Sequence, residues 1–189
     1  PIMKSPQYDY GYDISDYRDI HEQYGTLADF DALVQACETN DVKLILDLVP
    51  NHSSHLHEWF TKSENREAGY ENYYLWHPGS FDPINGERVP PNNWVSVFRF
   101  PGWKWSEKRK QFYYHAFLAE QPDLNYRNPR VVQEMKDVMS FWLHRGVQGF
   151  RIDAVPFLFE ANKDFNGQYP DEPVTGDSCP NPDDYCYTQ

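Results

Sequence analysis

Arg151 and Asp153 stand two positions apart in GFRIDAVPF, the stretch from Gly149 to Phe157. The stretch reads as a buried strand, in which residues i and i+2 point to the same face. A guanidinium beside a carboxylate can be a structural ion pair, yet burying such a pair seldom stabilises a fold relative to apolar packing. A second apolar run, VKLILDLVP from Val42 to Pro50, leads into the same kind of ending: DLVPNH supplies Asp47, Asn51 and His52. Asp47 can serve loop amides and His52 can be a satisfied loop histidine. Gathered at two strand ends, however, these groups point to a site.

The elements that must position them follow from periodicity. Between Thr26 and Asn40, apolar residues fall at Phe30, Leu33, Val34 and Cys37, the spacing of an amphipathic helix, with Thr26 as N-cap and Asp29 in its first turn. Val42–Val49 reads as a strand buried on both faces, as in a parallel sheet. A second helix opens at Asn128 with Pro129 in its first position, carries Val131, Met135, Val138, Met139 and Trp142 on one stripe, and stops at Gly146. The strand Val147–Asp153 follows at once. Helix, strand, helix, strand is the order of an α/β parallel sheet. Between the first strand and the second helix lie roughly 75 residues rich in Pro, Gly, Asn and aromatics. A strand-to-helix connection usually takes about 2–6 residues. An insert this long is expected to form a unit of its own at the C-terminal end of the sheet, where ligands bind in such folds.

An acidic, aromatic-rich composition suits a neutral, polyhydroxylated ligand, which stacks on rings and exchanges hydrogen bonds with carboxylates. The 189 residues carry a formal net charge of −12, which argues against nucleic acid or an anionic membrane as partner, and include 14 Tyr and 6 Trp. No apolar run is long enough to span a bilayer, and no signal peptide is visible. Of the three cysteines, Cys37 is expected as a buried thiol. Cys179 and Cys186 flank PNPDDY and are candidates for a small disulfide loop, whose geometry spacing alone leaves open.

The motifs GYDISDY, DLVPNH, QPDLN and GFRIDAV, in this order, resemble the α-amylase family of glycoside hydrolases, and within it the maltase and oligo-1,6-glucosidase branch. QPDLN and FRIDAVPFLFE look especially like insect maltases. The resemblance covers essentially the whole chain. It implies an α/β fold that is part of a (β/α)₈ barrel with a subdomain inserted after the third strand. Residues 1–50 would run from the end of barrel strand two (Pro1–Met3) to strand three (Val42–Val49). Residues 51–127 would be the insert. Residues 128–189 would hold the third helix, strand four (Val147–Asp153) and the loop after it. A complete barrel takes about 250 residues, so the chain is expected to be the middle of a longer protein.

The same resemblance implies a retaining α-glucosidase acting on short glucosides such as maltose, sucrose and malto-oligosaccharides. Asp153 would be the nucleophile, forming a glycosyl ester, and Arg151 would hold it as the anion. His52 would donate to a hydroxyl of the sugar in the first subsite, with Asp9 holding that sugar and Tyr12 stacking on it. Phe98, Phe117 and Gln121 would line the next subsite. Asp47 would organise the loop and Arg151. The general acid is expected from a glutamate on barrel strand five, outside these residues. Glu160, on the same loop as Asp153, is given no acid role. Asn51, Asp123 and Glu160 would offer oxygen ligands to a structural Ca²⁺. The triplet Asn51-His52-Ser53 fits a glycosylation acceptor, but its place in the pocket motif predicts an unmodified Asn51. Two other readings fit the resemblance: a sucrose isomerase or other transglycosylase, and the non-catalytic heavy subunit of amino-acid transporters. The family context implies a small carbohydrate as partner and a secreted protein, or one anchored on the extracellular side.

Overall fold

The computed structural model describes residues 1–161, 163 and 167–172; Cys179 and Cys186 lie outside them. The elements are β1 (Met3–Lys4), β2 (Asp16–Ile20), α1 (Leu27–Thr39), β3 (Ile45–Leu48), α2 (Glu58–Glu64), β4 (Trp76–His77), β5 (Ser80–Phe81), β6 (Arg88–Val89), β7 (Trp103–Ser106), β8 (Gln111–Tyr114), α3 (Pro129–His144) and β9 (Gly149–Ile152).

Both predicted helices form where their caps place them. At α1, Thr26 Oγ1 accepts from the Asp29 amide (3.3 Å) and Asp29 Oδ2 accepts from the Thr26 amide (2.8 Å), so two orphan donors are satisfied reciprocally. At α3, Asn128 Oδ1 accepts from the Arg130 amide, 3.0 Å, and Pro129 fills a position whose N–H would be unpaired in any case. Val131, Met135, Val138 and Trp142 are buried, as the stripe requires, with Met139 partly so. The stripe on α1 is narrower than expected. Phe30 and Val34 are buried, but Leu33 is 48% exposed and Cys37 only half-buried. The reason is a narrow seam: Phe30 meets the Trp142 ring edge-on at 5.0 Å, and Val34 packs on Gly146. A Cβ on Gly146 would come within 2.5 Å of Val34 Cγ1, and the residue's φ of +96° already favours glycine.

β3 and β9 pair in parallel through the α3 crossover, in the register Ile45↔Gly149, Leu46↔Phe150, Asp47↔Arg151 and Leu48↔Ile152. Leu46 and Leu48 are buried in the core with the α1 and α3 stripes. The expectation of a strand buried on both faces is corrected at Ile45, which is 62% exposed, and GFRIDAVPF is likewise not a buried run, since Arg151 and Ile152 are exposed. Strand alternation puts Ile45, Asp47 and Arg151 on the face opposite Leu46 and Leu48. Met3–Lys4 pairs antiparallel with β2, and among the described residues β3 and β9 alone make a parallel pair.

The segment between β3 and α3 is a built unit. It contains α2, a three-stranded antiparallel sheet in the order β4-β8-β7, and the two-stranded pair β5-β6. Leu75, Trp94, Trp103, Phe112, Tyr114 and Ala116 form a second buried cluster there.

Candidate active site

The parallel register brings the two strand tips side by side. Arg151 Nη1 donates to Asp47 Oδ1 (3.0 Å) and Oδ2 (3.2 Å) and lies 2.5 Å from Asp153 Oδ1. One guanidinium therefore ties the carboxylates of both strands. The hydrogen bond to Asp47 pushes the Arg151 guanidinium further toward its charged form. Asp153 is pinned through its own backbone, because its amide donates to the Leu48 carbonyl at 2.9 Å and extends the ladder by one residue. The chain then turns away at Ala154, whose φ of 54° is left-handed. Tyr12 Oη donates to Asp47 Oδ2 at 2.9 Å, and partial burial followed by that bond raises its phenol.

A second chain of bonds runs from this group into the insert. Gln121 Oε1 accepts from the Leu118 amide, 3.1 Å. Its Nε2 is thereby aimed at Asp9 Oδ2 (2.9 Å) and His52 Nε2 (3.1 Å). His52 is 1% exposed, bonds the Tyr12 backbone, and burial lowers its ring to about 4, so it is neutral at ordinary pH. Phe117 lies 5.0 Å from the His52 ring and 6.4 Å from the exposed ring of Phe98. Asp9, Tyr12, Asp47, His52, Gln121, Arg151 and Asp153 thus join one polar network, with Phe117 against it and Phe98 at its rim. Asp9 and Tyr12, not His52, keep open surface.

Two residues that hold this network were missed. Asp13, fully buried, accepts from Ser5 Oγ (2.9 Å) and from the amides of Tyr8 (3.0 Å) and Asp9 (3.0 Å), which sets the loop that carries Asp9 and Tyr12. A loop of alternating Asp, Tyr and Gly is itself a signal for such an organiser. Tyr17 Oη donates to the carbonyls of His52 (2.6 Å) and Val49 (3.1 Å) and fixes the turn after β3. No local sequence signal distinguishes it from an ordinary core tyrosine.

The third group is acidic and buried. Asn51 Nδ2 donates to Asp123 Oδ2 at 3.0 Å, and Asp123 Oδ1 accepts from the Ala116 amide at 2.8 Å. Burial, and then the nearby Glu160, push the Asp123 carboxyl well above the usual carboxylate range. Burial pushes Glu160 up to about 7. Its Oε1 is buried without a hydrogen-bond partner. Two neighbouring carboxyls and an orphaned oxygen beside a buried amide suit a hard cation with oxygen ligands. Among the described residues no group of three His, Cys, Asp or Glu could hold a metal ion, so a ligand set here must draw on the Asn51 amide. Asn51 is 1% exposed, closed to a glycosylating enzyme in the folded state.

These features have counterparts in known proteins. The catalytic-domain model of α-amylase matches residues 1–188, and the chain belongs to that family. The fold of that family is the (β/α)₈ barrel. The sequence is 56% identical to Maltase A1 of Drosophila melanogaster over 191 residues, covering 100% of this chain and 33% of that protein. It is 54% identical to a salivary alpha-glucosidase of Anopheles gambiae, over 99% of this chain and 31% of the relative. The trehalose-6-phosphate hydrolase TreA of Bacillus licheniformis superposes with a TM-score of 0.81 at 39% identity, over 93% of this chain and 30% of the enzyme. The chain thus spans about a third of the length of these relatives. No helix among the described residues is long and apolar enough to cross a membrane.

Proposed function

We propose that this sequence belongs to a retaining α-glucosidase that hydrolyses short α-linked glucosides, maltose, sucrose and malto-oligosaccharides among them. The observation that carries the reading is the single guanidinium of Arg151 held between Asp47 and Asp153 at adjoining strand tips. In the reaction Asp153 attacks the anomeric carbon as the C–O bond to the leaving sugar breaks. That sugar's oxygen takes a proton from an acid outside these residues. Water, giving a proton back to that same group, then cleaves the glycosyl ester and regenerates the Asp153 carboxylate. Arg151 keeps Asp153 aimed, and Asp47 keeps Arg151 in place. Asp9 and Tyr12 receive the sugar. Neutral His52 meets a hydroxyl by exchanging its contact with Gln121, and Phe117 and Phe98 flank the next ring. The names of the relatives support this class, and the salivary relative supports secretion.

We assign residues 1–50 and 128–189 to parts of the barrel, around its third and fourth strands, and 51–127 to the inserted subdomain of a longer protein. The non-catalytic transporter-subunit reading is disfavoured because Arg151, Asp153, His52 and Tyr12 all stand. Isomerase or transglycosylase activity differs in how water is excluded. The test is to incubate the full-length protein with maltose and follow the products by NMR. Glucose released first as the α anomer is the expected result. A β anomer would overturn the retaining mechanism, and a rearranged disaccharide as main product would favour the isomerase.

Asn51, Asp123 and Glu160 would hold a Ca²⁺, which when bound would neutralise the buried carboxylates and tie the insert to the loop after β9. An ion that binds only the folded state stabilises it. Excess chelator is therefore expected to lower the melting temperature by several degrees, roughly the effect of 1–3 kcal/mol. An unchanged melting curve, with no metal in elemental analysis, would refute the site.

A further inference from the structure

Asn92 and Asn93 lie on the insert, far in sequence from the strand tips, yet both hold the chain that follows β9. Asn93 grips Glu172 at two points: Oδ1 accepts from the Glu172 amide (2.7 Å) and Nδ2 donates to the Glu172 carbonyl (3.0 Å). The Asn93 amide donates to Asp171 Oδ1, 3.2 Å. Asn92 Nδ2 donates to the Pro170 carbonyl (3.0 Å), while its Oδ1 accepts from Trp103 Nε1 (2.7 Å). A side-chain amide that meets both backbone groups of one residue imitates a strand partner, so Glu172 is held in register and not merely in proximity.

The clasp has an apolar counterpart. The Tyr169 ring sits 5.3 Å from Trp94, 5.6 Å from Trp103 and 6.1 Å from His77. Phe157 and Ala161 pack on the same cluster, and Phe157 also lies 5.0 Å from Phe117, the ring against His52. Between them, the Glu160 carbonyl accepts from Arg127 Nη2 at 2.7 Å. Phe157, Ala161 and Tyr169 therefore share one aromatic bed with the insert, and Asn92–Asn93 locks residues 170–172 beside it.

We propose that Asn92 and Asn93 are positioning residues for sugar binding: by clasping residues 170–172 they seat Tyr169 on the cluster against which Phe157 also packs, and so keep the Phe157–Phe117 side of the pocket formed before substrate arrives. This rests on the α-glucosidase reading for its kinetic consequence, not for the clasp itself. Asp153 is held separately, by the Leu48 carbonyl and Arg151. Loss of the clasp should therefore tax binding and leave the chemical step alone, since a wall that must order on binding weakens ground and transition states alike.

Asn93 is exposed, so Asn93→Ala should fold. In the full-length protein its KM for maltose is expected to rise about tenfold, with kcat within about threefold of wild type. Tyr169→Ala, which empties the bed from the other side, should give the same split. Hydrogen exchange supplies a readout independent of activity: the backbone amide of Glu172, which donates to Asn93 Oδ1, should lose protection in Asn93→Ala. A lowered melting temperature with KM unchanged in both variants would reduce the clasp to a structural tie and overturn the proposal. Equal exchange at Glu172 in variant and wild type would overturn the clasp outright. If wild-type protein cleaves no α-glucoside, the enzymatic reading and the effect on KM both fall, and the exchange result alone decides the clasp.

Discussion

Asp153→Asn in the full-length protein is expected to lower kcat on maltose by at least about a thousandfold while leaving the melting temperature within a few degrees. The amide is nearly isosteric with the carboxylate, and the position is held by its backbone bond to Leu48. Arg151 retains Asp47, bound through both oxygens, so the guanidinium is not left unpaired. What disappears is the nucleophile, because a neutral amide cannot form the glycosyl ester. A variant that turns over within tenfold of wild type would remove Asp153 from the reaction. A variant that fails to fold would instead make the Arg151–Asp153 pair a structural one. Asp47→Asn should then report the structural share alone, since Asp47 has no bond-forming role.

Trp142→Ala is expected to have the largest effect on stability, about 3–5 kcal/mol. Trp142 is fully buried, meets Phe30 at 5.0 Å and Phe141 at 5.1 Å, and its Nε1 donates to the Tyr17 carbonyl at 2.8 Å. It thus joins α1, α3 and β2 at one point. Truncation opens a cavity among three elements and strands a buried carbonyl. Trp142→Phe keeps most of the volume and loses the indole N–H, so its cost should be smaller, about 1–3 kcal/mol for the unsatisfied carbonyl and the volume lost. Urea unfolding of both variants checks the pair of values. A Trp142→Ala loss under about 1 kcal/mol would mean that the site collapses freely and that α1 is not docked through this residue.

A good share of the molecule is legible without coordinates, for a local reason. Thr26 with Asp29, and Asn128 with Pro129, satisfy helix termini within three residues of themselves, so their effect does not depend on the rest of the chain. The spacing of Val131, Met135, Val138 and Trp142 marks a buried stripe for the same reason. The period of two puts Arg151 and Asp153 on one face wherever the strand packs, and the order helix–strand–helix–strand predicts the parallel pair that sets Asp47 opposite Arg151.

Other expectations depended on what a surface meets, which periodicity does not encode. Leu33 and Cys37 carry the right spacing but flank a seam only as wide as Phe30 and Val34, and Ile45 is as apolar as Leu46 but faces the other way. The partners that turn the motif residues into a site are still less local. Gln121 lies 112 residues from Asp9, and Asp47 lies 104 from Arg151. Local pattern suffices for the residue types at the strand tips, the caps and the family to which they belong. Long-range packing is what makes Asp13 and Tyr17 set the loops, leaves His52 buried and neutral, and puts Asp123 and Glu160 in one buried place. Burial and partner choice come from packing between segments distant in sequence, and it is burial and partners that assign a carboxyl or an imidazole its charge.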